Sequence, residues 1–236
     1  VRQLTALWAN DLRNTLRDHT VGVLLVIPLV FALALRLGLA SAEAGFPLLA
    51  DHRGLVIALF CLLASAFPGL MLAFILLEER DEGLFPVFRT LPISPRRFLL
   101  ARLALATLLS FLYPLIILVT VQAIAPLPGW RIPLLALLCS LQAPLSVLVV
   151  LVLAGNKIEG LAVIKVLFPA ILLPAAPFAV AVPWAHLLSV LPAYWTYRAF
   201  VVITPEAVAL ATVGALLFHL VPAALLLRRF RRRVFL

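Results

Sequence analysis

Six stretches of this chain, residues 21–42, 54–77, 99–125, 132–154, 161–182 and 207–227, run for about 20 residues or more with almost no charge. A helix rising 1.5 Å per residue needs about 20 apolar residues to cross the roughly 30 Å of hydrocarbon in a bilayer. In that solvent a backbone must satisfy its own hydrogen bonds, so each stretch is expected to be helical. The reading is an all-α polytopic membrane protein with six transmembrane helices, forming a single membrane domain over residues 1–236. Composition removes the alternative of a soluble module: 65% of residues are hydrophobic, against about 45–50% in soluble domains. The mean hydropathy of +1.18 points the same way. Residues 1–18 are polar and amphipathic, so the first apolar run is expected to insert and stay, without a cleavable leader.

Orientation follows from the basic residues. Fifteen of the nineteen Lys and Arg fall on alternate connections: the N-terminal segment, residues 80–102, residues 157–165 and the cluster from Arg228 to Arg233. The other side holds Arg36, Arg53, Arg131 and Arg198. Basic residues concentrate in cytoplasmic loops, so both termini are expected in the cytoplasm and the protein in the cell membrane. The net charge of +9 is explained by this topology and by anionic headgroups near Arg228–Arg233, and no nucleic-acid partner is expected. Cys61 and Cys139 both lie inside apolar runs without CxxC spacing, which signals neither a disulfide framework nor a zinc site.

Between the fifth and sixth runs, residues 183–205 carry Trp184, Tyr194, Trp195 and Tyr197 among several prolines. Trp and Tyr favour the membrane interface and proline interrupts a clean span. One or two short interfacial helices are expected there rather than a seventh crossing. Pro169, Pro174 and Pro177 supply a kink or a hinge to the fifth span. Of the polar residues within the runs, Arg36 can snorkel to the interface and Gln122 can hydrogen-bond near it. Gln142 and His219 sit deeper; they either bond across helices or line a pathway.

The connection from Glu78 to Arg102 is the most distinctive part of the chain. It opens with five consecutive charges, Glu78-Glu79-Arg80-Asp81-Glu82, then Gly83. An apolar-patterned piece follows with Phe85 and Phe88, interrupted by Pro86, and then Thr90-Leu91-Pro92-Ile93-Ser94-Pro95-Arg96-Arg97-Phe98. Ser94 is placed to cap a helix that opens with Pro95 at its first position. The segment suits either an amphipathic helix on lipid or one docked in a groove of a soluble protein. The second connection on the same side, Asn156-Lys157-Ile158-Glu159-Gly160, reads as a helix cap or as a further contact with such a protein.

The first of these connections resembles the first cytoplasmic loop of ABC-2 type transporter permeases, which reads Arg-Glu-x-Gly-Thr-Leu-Glu, then Thr-Pro-Val/Ile-Ser, then a basic stretch. Glu79, Arg80, Glu82, Gly83, Thr90, Pro92 and Ser94 fit that pattern, whereas Phe85-Pro86 depart from it. Residues 7–18, with Trp8, Leu12 and Leu16 on one helical face, resemble the family's amphipathic N-terminal elbow helix. Residues 183–205 resemble its short extracellular helices. The second connection, together with Leu191-Pro192-Ala193-Tyr194-Trp195, is similar to a drug-export subgroup that includes fluoroquinolone exporters.

The resemblance implies the membrane-spanning permease subunit of an ATP-driven exporter, carrying a hydrophobic or amphipathic substrate. It implies a separate ABC ATP-binding subunit and a second permease copy as partners. No GxxxxGK[ST] loop is present, so no cofactor is expected in this chain, with ATP and Mg held by the partner. Glu79, Arg80, Asp81, Glu82, Gly83, Phe88, Thr90, Pro92, Asn156, Lys157 and Glu159 become the expected ATPase-coupling residues, and Gln142 and His219 the expected pathway residues. Two other classes compete: an intramembrane enzyme and a structural assembly protein. The Glu78-Glu79 pair invites comparison with CAAX-processing membrane proteases, but Arg80 follows it directly and the later histidines, His186 and His219, do not supply a third convergent ligand. A purely structural protein would account for the spans but not for the organised connection.

Overall fold

The computed structural model describes residues 19–84, 95–180 and 183–234. The elbow segment and Phe88, Thr90, Pro92 and Ser94 of the first connection lie outside the described residues. The remainder is helical: α1 His19–Gly45, α2 Leu48–Asp51, α3 Arg53–Asp81, α4 Pro95–Thr120, α5 Arg131–Ser140, α6 Gln142–Leu153, α7 Lys157–Leu172, α8 Ala176–Ala179, α9 Pro192–Val201 and α10 Pro205–Val234. Short 3-10 turns occupy Leu173–Ala175 and Ala185–Val190. Six segments are long and apolar enough to cross a membrane, with α5 and α6 counting together as one. The face carrying the end of α3, the start of α4, residues 154–157 and the end of α10 is termed the near face. The opposite face carries residues 46–52, 121–130 and 183–204 and is termed the far face.

Burial sorts the spans into centre and rim. Of the most apolar window of each, 83% is buried for α5–α6 and 67% for α3, but only 22% for α1, α7 and α10. The central pair meets where side chains vanish. A Cβ on Gly69 of α3 would stand 2.7 Å from the carbonyl oxygen of Ala143 and 2.8 Å from its Cα, at the start of α6. Small residues let helix backbones approach in this way where lipid supplies no hydrophobic drive. Buried hydroxyls join the same centre: Ser65 Oγ donates to the Cys61 carbonyl at 2.8 Å, and Ser110 Oγ donates to the Ser65 carbonyl across to α4. Tyr113 Oη of α4 reaches the Leu25 carbonyl and ties the peripheral α1 to the bundle.

Prolines are handled as lipid-embedded helices allow. Pro28, Pro68, Pro114 and Pro222 lie within α1, α3, α4 and α10 without ending them. In the fifth span the expected disturbance is seen. After Pro169 the α7 helix gives way to the 3-10 turn Leu173–Ala175 and then to the short α8. The fourth span is not the single helix that its hydropathy predicts but changes segment at Leu141. Pro144 lies in the first turn of α6, where the missing N–H costs least.

The segment after the fifth span contains two short helices and, among the described residues, no seventh membrane-length one. Within it, α9 packs one face against the far half of the bundle, with Ala193, Thr196, Tyr197 and Ala199 essentially inaccessible. Trp195 stacks on Phe218 of α10 with ring centroids 5.6 Å apart, over Gly214, whose missing Cβ leaves room for the indole. Tyr197 is therefore core, Tyr194 and Trp195 are half-buried, and Trp184 is 49% exposed, a gradation that amphipathic aromatics accommodate at one edge of a bundle.

Candidate functional site

The near face is organised by the last turn of α3. That helix closes in a left-handed Gly83 (φ +70°), with Gly83 N–H donating to the Arg80 carbonyl and Leu84 N–H to the Glu79 carbonyl. This paired closure satisfies the final carbonyls and turns the chain sharply out of the helix. Gly83 is required there because a side chain would strain the positive φ. The 85–94 connection thus leaves from a fixed point.

Each charged residue of that turn has a different task. Arg80 points back into the protein and donates to the carbonyl oxygens of Ala154 at 2.6 Å and Leu151 at 3.1 Å, the orphan acceptors at the end of α6. Its guanidinium also lies over the Phe230 ring of α10, 5.8 Å from the centroid. Glu79 forms an ion pair with Arg102 of α4 at 2.5 Å, and Arg102 covers the ring of Phe98. Asp81 Oδ2 accepts from the backbone N–H of Lys157 at the start of α7, and Glu78 pairs with the Lys157 ammonium at 3.1 Å. One helical turn therefore touches α4, α6, α7 and α10.

The second connection is built as a cap. Asn156 Oδ1 accepts from Glu159 N–H at 2.8 Å, and Glu159 Oε2 accepts from Gly155 N–H at 2.6 Å. The reciprocal arrangement fixes the start of α7. Of the expected coupling residues, Glu79 and Arg80 are thus directed inward as clamps, whereas Asp81, Glu82, Gly83 and Glu159 are exposed. Exposed with them is Ile158, at 81% of its surface, which sequence reasoning did not select. Arg102 and Phe230 were also missed as members of this cluster. Their partners come from more than 20 residues away, and no local pattern signals them.

Gln142 and His219, singled out by depth alone, do meet. Gln142 Oε1 and His219 Nε2 are 3.4 Å apart, and His219 Nδ1 donates to the Ala215 carbonyl at 2.8 Å. Ser146 Oγ is 3.0 Å from the Gln142 amide nitrogen. With the ring proton on Nδ1, the complete network turns the amide over: its NH2 donates to Nε2, and Ser146 donates to its oxygen. Beside this trio is a cavity of about 380 Å³ between α6, α7, α10 and the start of α9. Among its described lining residues, Leu145, Val166, Leu167, Pro192 and Leu226 included, Gln142 alone is polar. An apolar pocket of this size with one orienting amide suits a drug-sized hydrophobic or amphipathic molecule. The Glu78-Glu79 pair is committed to cations at the near face, separate from His219, and among the described residues no His, Cys, Asp and Glu side chains converge in a metal-binding group.

Six membrane-length apolar segments among the described residues, an apolar cavity between them and a charged near-face cluster define a multi-pass α-helical membrane protein built like a transport subunit. Residues 11–227 match the model of the family described as fluoroquinolones export permease protein Rv2686c-like, and the chain belongs to that family. It is 29% identical over 242 aligned residues to the fluoroquinolones export permease proteins Rv2686c and MT2760 of two Mycobacterium tuberculosis strains, H37Rv and CDC 1551. Each match covers 98% of this chain and 95% of the relative. The likeness to an ABC-2 type permease inferred from the first connection therefore holds over nearly the whole length. No solved structure matches the chain.

Proposed function

We propose that this chain is the membrane-spanning half of an ATP-driven exporter, coupled through its near face to a separate ATP-binding subunit and working as a pair of permease copies. On this reading the near face is cytoplasmic, both termini lie there, and the protein resides in the cell membrane. Its cargo is an amphipathic molecule of drug size, as the names of its relatives suggest for fluoroquinolones. ATP and Mg belong to the partner.

The observation that carries the proposal is the convergence on the last turn of α3. Arg80, Glu79, Asp81 and Glu78 link that turn to α6, α4 and α7. A soluble subunit pressing on the connection that leaves Gly83 would move four spans together rather than one loop. Such a push shifts an inward/outward equilibrium only through contacts that differ between the two states. The exposed Glu82, Glu159 and Ile158 offer the mixed charged and apolar surface for those contacts. The cavity beside Gln142 lies against α6 and α7, the two spans joined by the capped Asn156 connection, so movement of that connection reaches its walls directly.

Co-expression of the tagged chain with a candidate ABC ATP-binding subunit, followed by purification in mild detergent, tests the reading. The ATPase is expected to co-purify in stoichiometric amount. Recovery of a folded, membrane-inserted chain that holds no ATP-binding protein would remove the proposal's main support.

A further inference from the structure

The far face carries a second cavity, of about 450 Å³, whose wall includes Arg131, Trp130, Phe178, Phe200, Asp51 and His52. Arg131 is an unusual wall. It is 6% exposed, and among the described residues no carboxylate forms an ion pair with it. Both of its hydrogen bonds leave from Nη2, to the carbonyl oxygens of Ala199 at 2.7 Å and Val202 at 2.9 Å. Nε is buried without a partner. The contrast with Arg53 on the same face is direct: its guanidinium is matched by Glu43 at 2.5 Å and by the Ile124 carbonyl at 2.8 Å.

Closing the end of α9 explains the two carbonyl bonds but not the remaining charge. A buried guanidinium loses its hydration and is ordinarily repaid by an anion or a full set of acceptors. Here part of the repayment is missing, and the group borders a cavity with aromatic walls. The geometry points to an anion-binding subsite in the far cavity, formed by Arg131 with Trp130 and Phe200, that receives the carboxylate of a flat aromatic acid. Aromatic walls favour a ring-bearing ligand over a small inorganic ion. Asp51, on the same wall, disfavours a second negative charge, so the ligand is a monoanion or a zwitterion whose cationic end faces Asp51. The inference rests on the export reading and deepens it: the far cavity is a station on the cargo's route, distinct from the apolar cavity beside Gln142.

The test uses the purified full chain in phosphatidylcholine nanodiscs, titrated with 2-naphthoate and with the uncharged 2-naphthamide. The wild-type protein is expected to bind the naphthoate saturably and about tenfold more tightly than the amide, the scale of one hydrogen bond to a charged group. Arg131→Gln should abolish that preference, and Arg131→Lys, which keeps the charge, should retain it. Trp130→Ala, at a side chain 58% exposed, should weaken both probes without changing the unfolding temperature. This variant and the wild-type comparison decide the matter even if Arg131→Gln fails to fold. Equal binding of the two probes to wild-type protein, or an intact preference in folded Arg131→Gln, would overturn the assignment. None of these failures touches partner binding, which co-purification reads separately.

Discussion

Replacing Arg80 by Gln removes the clamp between α3 and α6 while leaving both helices their full apolar surfaces. In the native protein one guanidinium satisfies two helix-terminal carbonyls, those of Leu151 and Ala154. Hydrogen bonds to charged groups contribute about 1.5–3 kcal/mol each, whereas polar bonds measured inside membrane proteins average only about 0.6 kcal/mol. Arg80 is half-buried at the near face, so water can reach the freed carbonyls in part. A loss of about 2–3 kcal/mol follows as an intermediate value. For a chain of this length, each 1 kcal/mol corresponds to roughly 2–4 °C in Tm, so Arg80→Gln should lower the Tm by about 4–12 °C. The protein supplies its own reporter: Cys61 and Cys139, the two cysteines in the sequence, are fully buried and become reactive to a thiol-specific dye only on unfolding. Arg80→Lys should fall between the two, because a point charge on a shorter stem does not span both carbonyls. An unchanged Tm in Arg80→Gln, with ATPase coupling also unchanged, would refute the reasoning that the α3 turn clamps α6.

Two further outcomes follow from local geometry. Gly69→Ala places a methyl within 3 Å of the Ala143 backbone, which cannot rotate away, and should cost about 1–3 kcal/mol by overpacking in the same thiol assay. Asn156→Ala removes the cap acceptor for Glu159 N–H and should cost about 1 kcal/mol. Hydrogen exchange should show the loss concentrated in the first turn of α7.

The six spans were legible because each is a long uncharged run, and lipid leaves a backbone of that composition few other conformations. The Asn156 cap was legible for the opposite reason: Asn and Glu three residues apart satisfy each other locally, without help from the fold. Gln122 likewise bonds nearby, accepting from Leu127 N–H at 3.2 Å at the end of its span. What escaped was set by distant partners. Arg80 reads as one charge in a solvated row, yet its acceptors are more than 70 residues away. The break at Leu141 has no glycine to announce it, and the burial of α9 depends on Gly214 making room for Trp195. Gln142 and His219 were marked by their cost in lipid; that they meet, and that one of them faces a cavity, needed the packing of α6 against α10.

The central claim is that the near face transmits force from a separate ATPase. The most direct test reconstitutes the chain in liposomes with its ATP-binding partner and measures ATP hydrolysis with wild-type and Glu82→Lys chains, after confirming equal insertion. Glu82 is exposed and makes no ion pair among the described residues, so its reversal leaves the internal clamps intact. The account predicts that the wild-type chain raises the partner's ATPase rate and that Glu82→Lys sharply reduces the increase. Equal stimulation by both chains, or none by the wild type, would contradict it.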